Sequence, residues 1–258
     1  MKKSYAVVTG ASSGIGAQFA RRLAAEGYRP VLVARRRERL EALAQELGEK
    51  GIESIVFVAD LSRKEECVRL MERLSGLSVG VFVNNAGFGD CGPFLETDLD
   101  KEMDMIDVNV RAMHVLTKLV LTKMQEQGGG YLLNVASSAG LIPAGPYMAT
   151  YYATKAYVAS LTRAIAKELK EQGSKVYIGA LCPGPVDTEF NDVAHVSFAL
   201  PGITAEACVE AAITGMKRRK TVIVPSLYMK AATTLGRFLP QDMYIGITGH
   251  QQKKKLGL

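Results

Sequence analysis

The chain has 258 residues, a formal net charge of +6, and 48% hydrophobic against 22% charged residues. That composition supports a large core. No apolar run approaches the roughly 20 residues of a membrane span, and Lys2-Lys3 precede a strand too short for a signal peptide's apolar region, so the expected home is the cytoplasm. The charge is densest at Lys217-Arg218-Arg219-Lys220 and Lys253-Lys254-Lys255 without any nucleic-acid recognition motif; these clusters read as solvated helix ends and a tail, or else as an attraction for an anionic carrier or membrane surface.

In chain order, Tyr5 to Thr9 (YAVVT) reads as a short buried strand within 4–9, and Gly10-Ala11-Ser12-Ser13-Gly14-Ile15-Gly16 follows it. A helix over 14–27 places Ile15, Phe19, Leu23 and Ala24 on one side. A second strand (30–34) runs into Arg35-Arg36-Arg37 and a helix over 36–50. The third strand (53–58) leads to Asp60 and a helix over 62–75; the fourth (79–84) ends in Asn84-Asn85-Ala86-Gly87. A long helix over 98–127 carries Asn109, and a fifth strand (130–136) delivers Ser137 and Ser138 to its carboxyl end. The helix over 151–172 opens with Tyr151 and Lys155. A sixth strand (175–181), Pro183-Gly184, a helix over 204–219 and a seventh strand (221–224) complete the pattern. Short apolar strands alternating with helices predict an α/β fold, a single doubly wound Rossmann-type domain whose parallel sheet has about seven strands and helices on both faces. The domain spans 1–258, with 190–219 a substrate loop and helix region. A C-terminal extension, 226–258, has an amphipathic look from Leu227, Met229, Ala231, Leu235, Phe238 and Leu239 beside Lys230 and Arg237; core or interface packing is its default reading.

Two local patterns carry chemistry. Strand, glycine turn and helix N-terminus stand in the order that dinucleotide binding needs: Gly10 permits the turn, Gly14 and Gly16 let a pyrophosphate and the next strand approach, and the helix's free N–H groups favour the phosphate. The spacing is G-x3-G-x-G rather than G-x-G-x-x-G. At the second strand's end, where an NAD site usually carries an acid, stand arginines that suit a 2′-phosphate; NADP(H) is therefore expected, with Arg35 the main contact and Arg36 a second. The other pattern is Tyr151 and Lys155, one helical turn apart, where the ammonium is expected to lower the phenol's pKa toward working pH and make it a general acid or base. The cysteines Cys67, Cys91, Cys182 and Cys208 form no C-x-x-C pair and read as small core residues, and the scattered histidines make a metal role improbable.

Together Thr9-Gly10-x3-Gly14-x-Gly16, Asp60, Asn84-Asn85-Ala86-Gly87, Asn109, Ser138, Tyr151-x3-Lys155 and Pro183-Gly184 resemble the short-chain dehydrogenase/reductase family over about residues 4 to 225. The resemblance implies cofactor contacts from Gly10, Ser12, Ser13, Gly14, Ile15, Gly16, Arg35, Arg36, Asp60, Leu61, Asn85, Ala86, Gly87, Tyr151, Lys155, Pro183, Gly184, Val186 and Thr188. It also implies a catalytic group of Asn109, Ser138, Tyr151 and Lys155. Ser138, thirteen residues before the tyrosine as in the family, would hold the carbonyl oxygen, Tyr151 would move the proton, and Asn109 would complete a water relay. Ser138, Met148, Phe190 and Phe198 are expected against substrate, with Phe88, Phe94 and Val193 as further lining. The apolar walls suggest a lipophilic ketone interconverted with its secondary alcohol; a 3-oxoacyl-thioester reductase of lipid metabolism, a hydroxysteroid dehydrogenase and an NADPH-sensing regulator are the alternatives. The expected partner is a small carbonyl or alcohol substrate, not nucleic acid, and the family suggests a homodimer or homotetramer.

Overall fold

A computed structural model describes residues 4–189 and 202–256. Seven strands, β1 (Tyr5–Thr9), β2 (Arg29–Ala34), β3 (Ile55–Val58), β4 (Val79–Asn84), β5 (Gly130–Val135), β6 (Val176–Leu181) and β7 (Val222–Ile223), form one sheet. All pairs are parallel, in the order β3-β2-β1-β4-β5-β6-β7. The chain leaves β1 toward one edge and returns at β4 to build the other half. A crevice therefore opens above the carboxyl ends of β1 and β4, where doubly wound sheets bind ligands.

The strand alternation explains why the sheet is covered on both faces. Ala6, Val8, Leu32, Ala34, Val81 and Val83 point into one core. That core is filled by Phe19 and Leu23 of α1 (Gly14–Ala25), Leu40, Leu43 and Leu47 of α2 (Arg37–Glu49), and Cys208, Ala212 and Met216 of α7 (Ala205–Lys217). Val7, Val31, Val33 and Phe82 point the other way, against Cys67 and Leu70 of α3 (Lys64–Arg73), Leu116, Val120 and Met124 of α5 (Met113–Glu126), and Leu169 of α6 (Ala149–Glu171). Each face buries branched and aromatic side chains on a period of two, as a parallel sheet requires.

The helix expected over 98–127 is interrupted. α4 (Leu99–Ile106) passes through a π-helical turn, Asp107–Ala112, before α5 begins, and Asn109 sits in that turn, fully buried. π turns of this kind recur at functional sites. The expected 204–219 helix is α7; it packs into the core, and none of its residues reaches the cleft described below. The extension forms two further helices, α8 (Leu227–Leu235) and α9 (Gln241–Lys255), which fold back toward the same crevice. No helix among the described residues is long and apolar enough to cross a membrane.

Candidate active site

One cleft of about 840 Å³ runs along the carboxyl ends of the strands, from the glycine turn to α8 and α9. Every residue assigned above to the cofactor, from Gly10 to Thr188, lines it. The glycine turn is shaped by its neighbours. Gly10 has φ +66°, and a Cβ there would meet Asn85 Nδ2 at 2.7 Å; a Cβ on Gly16 would overlap the Gly10 carbonyl oxygen. Thr9 locks the turn to the end of β4, its Oγ1 accepting from Asn85 N (2.8 Å) and Ala86 N (2.9 Å) while Asn85 Nδ2 donates to the Thr9 carbonyl (2.9 Å).

The donors at this end fit an anion. α1 opens at Gly14 with no acid in its first turn, and Ser13, its N-cap, makes no capping hydrogen bond. The first N–H groups of a helix have no partner within it and face whatever lies at the N-terminus. Arg36 joins them: its guanidinium donates to Ser12 Oγ (2.9 and 3.1 Å) and Ser13 Oγ (2.7 Å). Arg35 lines the cleft, but Arg36, at the N-cap of α2, is the residue turned onto the glycine turn. Glu189 faces it, accepting from Arg36 (3.1 Å) and from Arg39, and these two guanidinium groups hold its carboxyl below the usual range, Arg39 most strongly. A phosphate entering here would share Arg36 with that carboxylate. Asp60 lines the cleft while its Oδ1 accepts from Ser62 N (3.2 Å) and Oγ (2.9 Å), so turn capping and a ligand-facing position coexist.

The chemical end is built on α6. Tyr151 and Lys155 are both buried, and Lys155 Nζ lies 5.8 Å from the Tyr151 ring centroid and donates to the Val135 carbonyl (3.1 Å). Two expectations change here. The phenol is not lowered by its ammonium neighbour: burial pushes Tyr151 up to about 12, a hydrogen bond with Ser137 pulling only partly the other way. Burial also draws Lys155 down to about 8. The hydrogen-bond partner that this balance gives Tyr151 is Ser137, the neighbour of the expected Ser138. Ser137 continues the extended backbone of β5 (φ −168°, ψ 161°) and caps the 3-10 turn Ser138–Leu141 through Ala139 N (3.1 Å). Ser138 is the first residue of that turn, its N–H bonded to the Pro183 carbonyl (2.7 Å), and it also lines the cleft.

Asn109 stands behind the cleft wall rather than in it. Its Oδ1 accepts from Phe88 N (3.1 Å); its Nδ2 donates to the Phe88 carbonyl (2.8 Å) and to Thr154 Oγ1 (3.2 Å). It therefore clamps the loop after β4 to α6. A Cβ on Gly87 would lie 2.7 Å from Asn109 Oδ1 and 3.3 Å from Lys155 Nζ, so only glycine leaves this junction open. Beneath it Asn134, unremarked in the sequence, accepts from Thr117 (3.2 Å) and Asn84 (3.4 Å) and donates to Thr162 (3.0 Å), tying β4, β5, α5 and α6 together.

The remaining wall is apolar. Met148 packs with Met105, Ala139, Tyr151 and Tyr152, with Phe88 and Ile142 beside them. Met229 of α8 rests where a Cβ on Gly184 would go. Phe94 is exposed and away from this cleft. Phe190, Val193 and Phe198 lie outside the described residues. Cys67, Cys182 and Cys208 are buried thiols pushed up by desolvation, to about 11, 12 and 12.

Comparison with known proteins agrees with this geometry. A family model described as short chain dehydrogenase matches residues 4–195. A very-long-chain 3-oxoacyl-CoA reductase of Anas platyrhynchos is 36% identical over 234 residues, which is 88% of this chain and 73% of that protein. A solved short-chain dehydrogenase from Sphingobium yanoikuyae, in complex with NADPH, is 32% identical with a TM-score of 0.81, covering 92% of this chain and 97% of the other. A bulky-bulky ketone specific alcohol dehydrogenase from Comamonas testosteroni is 30% identical with a TM-score of 0.77, covering 93% and 96%.

Proposed function

The chain belongs to the short-chain dehydrogenase family and is an oxidoreductase, and from that premise we propose that it reduces the 3-oxo group of a lipophilic acyl thioester with NADPH. The single observation that carries the reaction is the meeting of Ser137, Tyr151 and Lys155 at the apolar end of a cleft whose other end is a phosphate-ready glycine turn. The thioester is favoured over a simple ketone by the likeness to very-long-chain 3-oxoacyl-CoA reductases; NADP(H) over NAD(H) is favoured by Arg36 on the glycine turn.

The glycine turn and the α1 N-terminus would hold the pyrophosphate, Arg36 the 2′-phosphate, and Pro183, Gly184 and Thr188 would border the nicotinamide; bound there, NADPH supplies the hydride. The chain supplies position and a proton. Ser137 donates a hydrogen bond to the carbonyl oxygen. Tyr151, which burial keeps protonated at neutral pH, gives its proton to that oxygen as negative charge develops. Lys155, when protonated, offsets the charge left on the phenol. Asn109 holds Lys155's surroundings in place through Phe88 and Thr154.

A rate panel tests this reading: NADPH or NADH oxidation by the purified chain with medium- and long-chain 3-oxoacyl thioesters, lipophilic ketones and hydroxysteroid-derived ketones. The thioesters with NADPH should give the highest kcat/KM. Arg36→Ala should weaken NADPH binding about 10- to 100-fold, the worth of a charge-assisted contact, and leave NADH within about 3-fold. Ketones outpacing every thioester, or an unchanged NADPH preference in the variant, would contradict it.

A further inference from the structure

The last helix returns a side chain to the cleft that the mechanism does not use. Gln252 of α9 lines the same cleft as Tyr151 and is 3% exposed. Its Nε2 donates to the Tyr152 hydroxyl at 2.7 Å. Its Oε1 is buried and has no hydrogen-bond partner among the described residues. A buried amide oxygen left this way is costly, and such a group in a cleft is explained by a donor that arrives with a ligand. Tyr152 spaces Gln252 from the reacting centre: the Tyr151 and Tyr152 rings are 6.3 Å apart between centroids.

We propose that Gln252 is a specificity-determining residue whose Oε1 accepts a hydrogen bond from an N–H group carried by the substrate beyond its reacting carbonyl. The proposal rests on the thioester reading for the identity of that group. In a 3-oxoacyl thioester on a cysteamine arm, six bonds separate the 3-oxo carbon from the amide nitrogen. At about 3.5 Å per three extended bonds that is about 7 Å. The acyl chain and the thioester offer acceptors and apolar surface but no other donor, so the arm's amide N–H is the group this oxygen selects. Gln252 thereby reads the carrier arm while the apolar wall of Met148 and Ile142 takes the chain.

The test uses the full chain with two substrates that differ in one atom: a 3-oxodecanoyl thioester of N-acetylcysteamine, and its counterpart with an ester oxygen in place of the N–H. Wild type should prefer the amide by about 3- to 10-fold in kcat/KM, through KM, as one hydrogen bond gives. Gln252→Met should erase the preference with kcat within about 2-fold and NADPH affinity retained, the latter reporting that the variant folds. Equal kcat/KM for the two thioesters in wild type would overturn the proposal whatever the variant does, and so would a preference that survives in Gln252→Met. Were neither thioester turned over while ketones are, the thioester reading would have failed alone; a ketone pair with an N–H or an oxygen six bonds from the carbonyl would then decide Gln252 by the same comparison.

Discussion

At the residue scale the instructive position is Ser137. Counting back thirteen residues from Tyr151 selects Ser138, but that count crosses Leu141 to Met148, a loop in which one extra residue costs little. Counting forward along β5 does not cross it: Ser137 still has extended backbone, so its side chain leaves the strand end in a fixed direction. Ser137→Ala should lower kcat about 10²-fold, the loss expected from removing one donor to a developing oxyanion, and Ser138→Ala less than about 3-fold; the reverse ranking in steady-state rates would restore Ser138. The Tyr151–Lys155 pair was legible from its spacing, but its electrostatics were not, because burial depends on contacts far away in sequence. Lys155 makes the point measurable. Its native pKa of about 8 lies below the ordinary 10.5, so between those values the unfolded chain binds more protons and stability rises with pH. Lys155→Met, which has nothing to titrate, should therefore be more stable than wild type at pH 7, by about 3 kcal/mol, with the gap narrowing by pH 10. Melting curves at both values, in the absence of cofactor, check it; a gap independent of pH would mean that the lysine is not desolvated.

At the element scale the strands were readable because each is a short apolar run buried on both faces, and all fall within two residues of the expected bounds. The π turn at Asp107–Ala112 was not, since its residues keep an ordinary helical pattern; it is stabilised by the Asn109 clamp onto Phe88 and Thr154, which are distant in sequence. α8 and α9 show only a broken apolar pattern, interrupted by Gly236 and Pro240, and their place over the cleft depends on contacts to Gly184 and Tyr152. The Thr9 hydroxyl ties the turn after β4 to the end of β1. Thr9→Val would leave the N–H groups of Asn85 and Ala86 without their acceptor, and should cost about 2–4 kcal/mol, or roughly 5–15 °C in Tm; a calorimetric Tm within 2 °C of wild type would show that the turn does not need it.

At the scale of the whole molecule, a doubly wound sheet places a helix N-terminus and the buried Tyr151 at the two ends of one cleft, and the C-terminal helices line the end near the tyrosine. The first half of that arrangement was visible as motifs in chain order. The second half was not, because Gln252 meets Tyr152 across a hundred residues with no local signal. In the proposed reaction a buried phenol delivers a proton to the carbonyl oxygen as hydride reaches the 3-oxo carbon. The direct measurement is single-turnover oxidation of bound NADPH by a 3-oxoacyl thioester in wild type and Tyr151→Phe, with NADPH affinity taken from the same titrations. The variant should bind NADPH within about 3-fold of wild type and lose at least about 10²-fold in the single-turnover rate. A Tyr151→Phe rate close to wild type, with NADPH bound, would contradict the account.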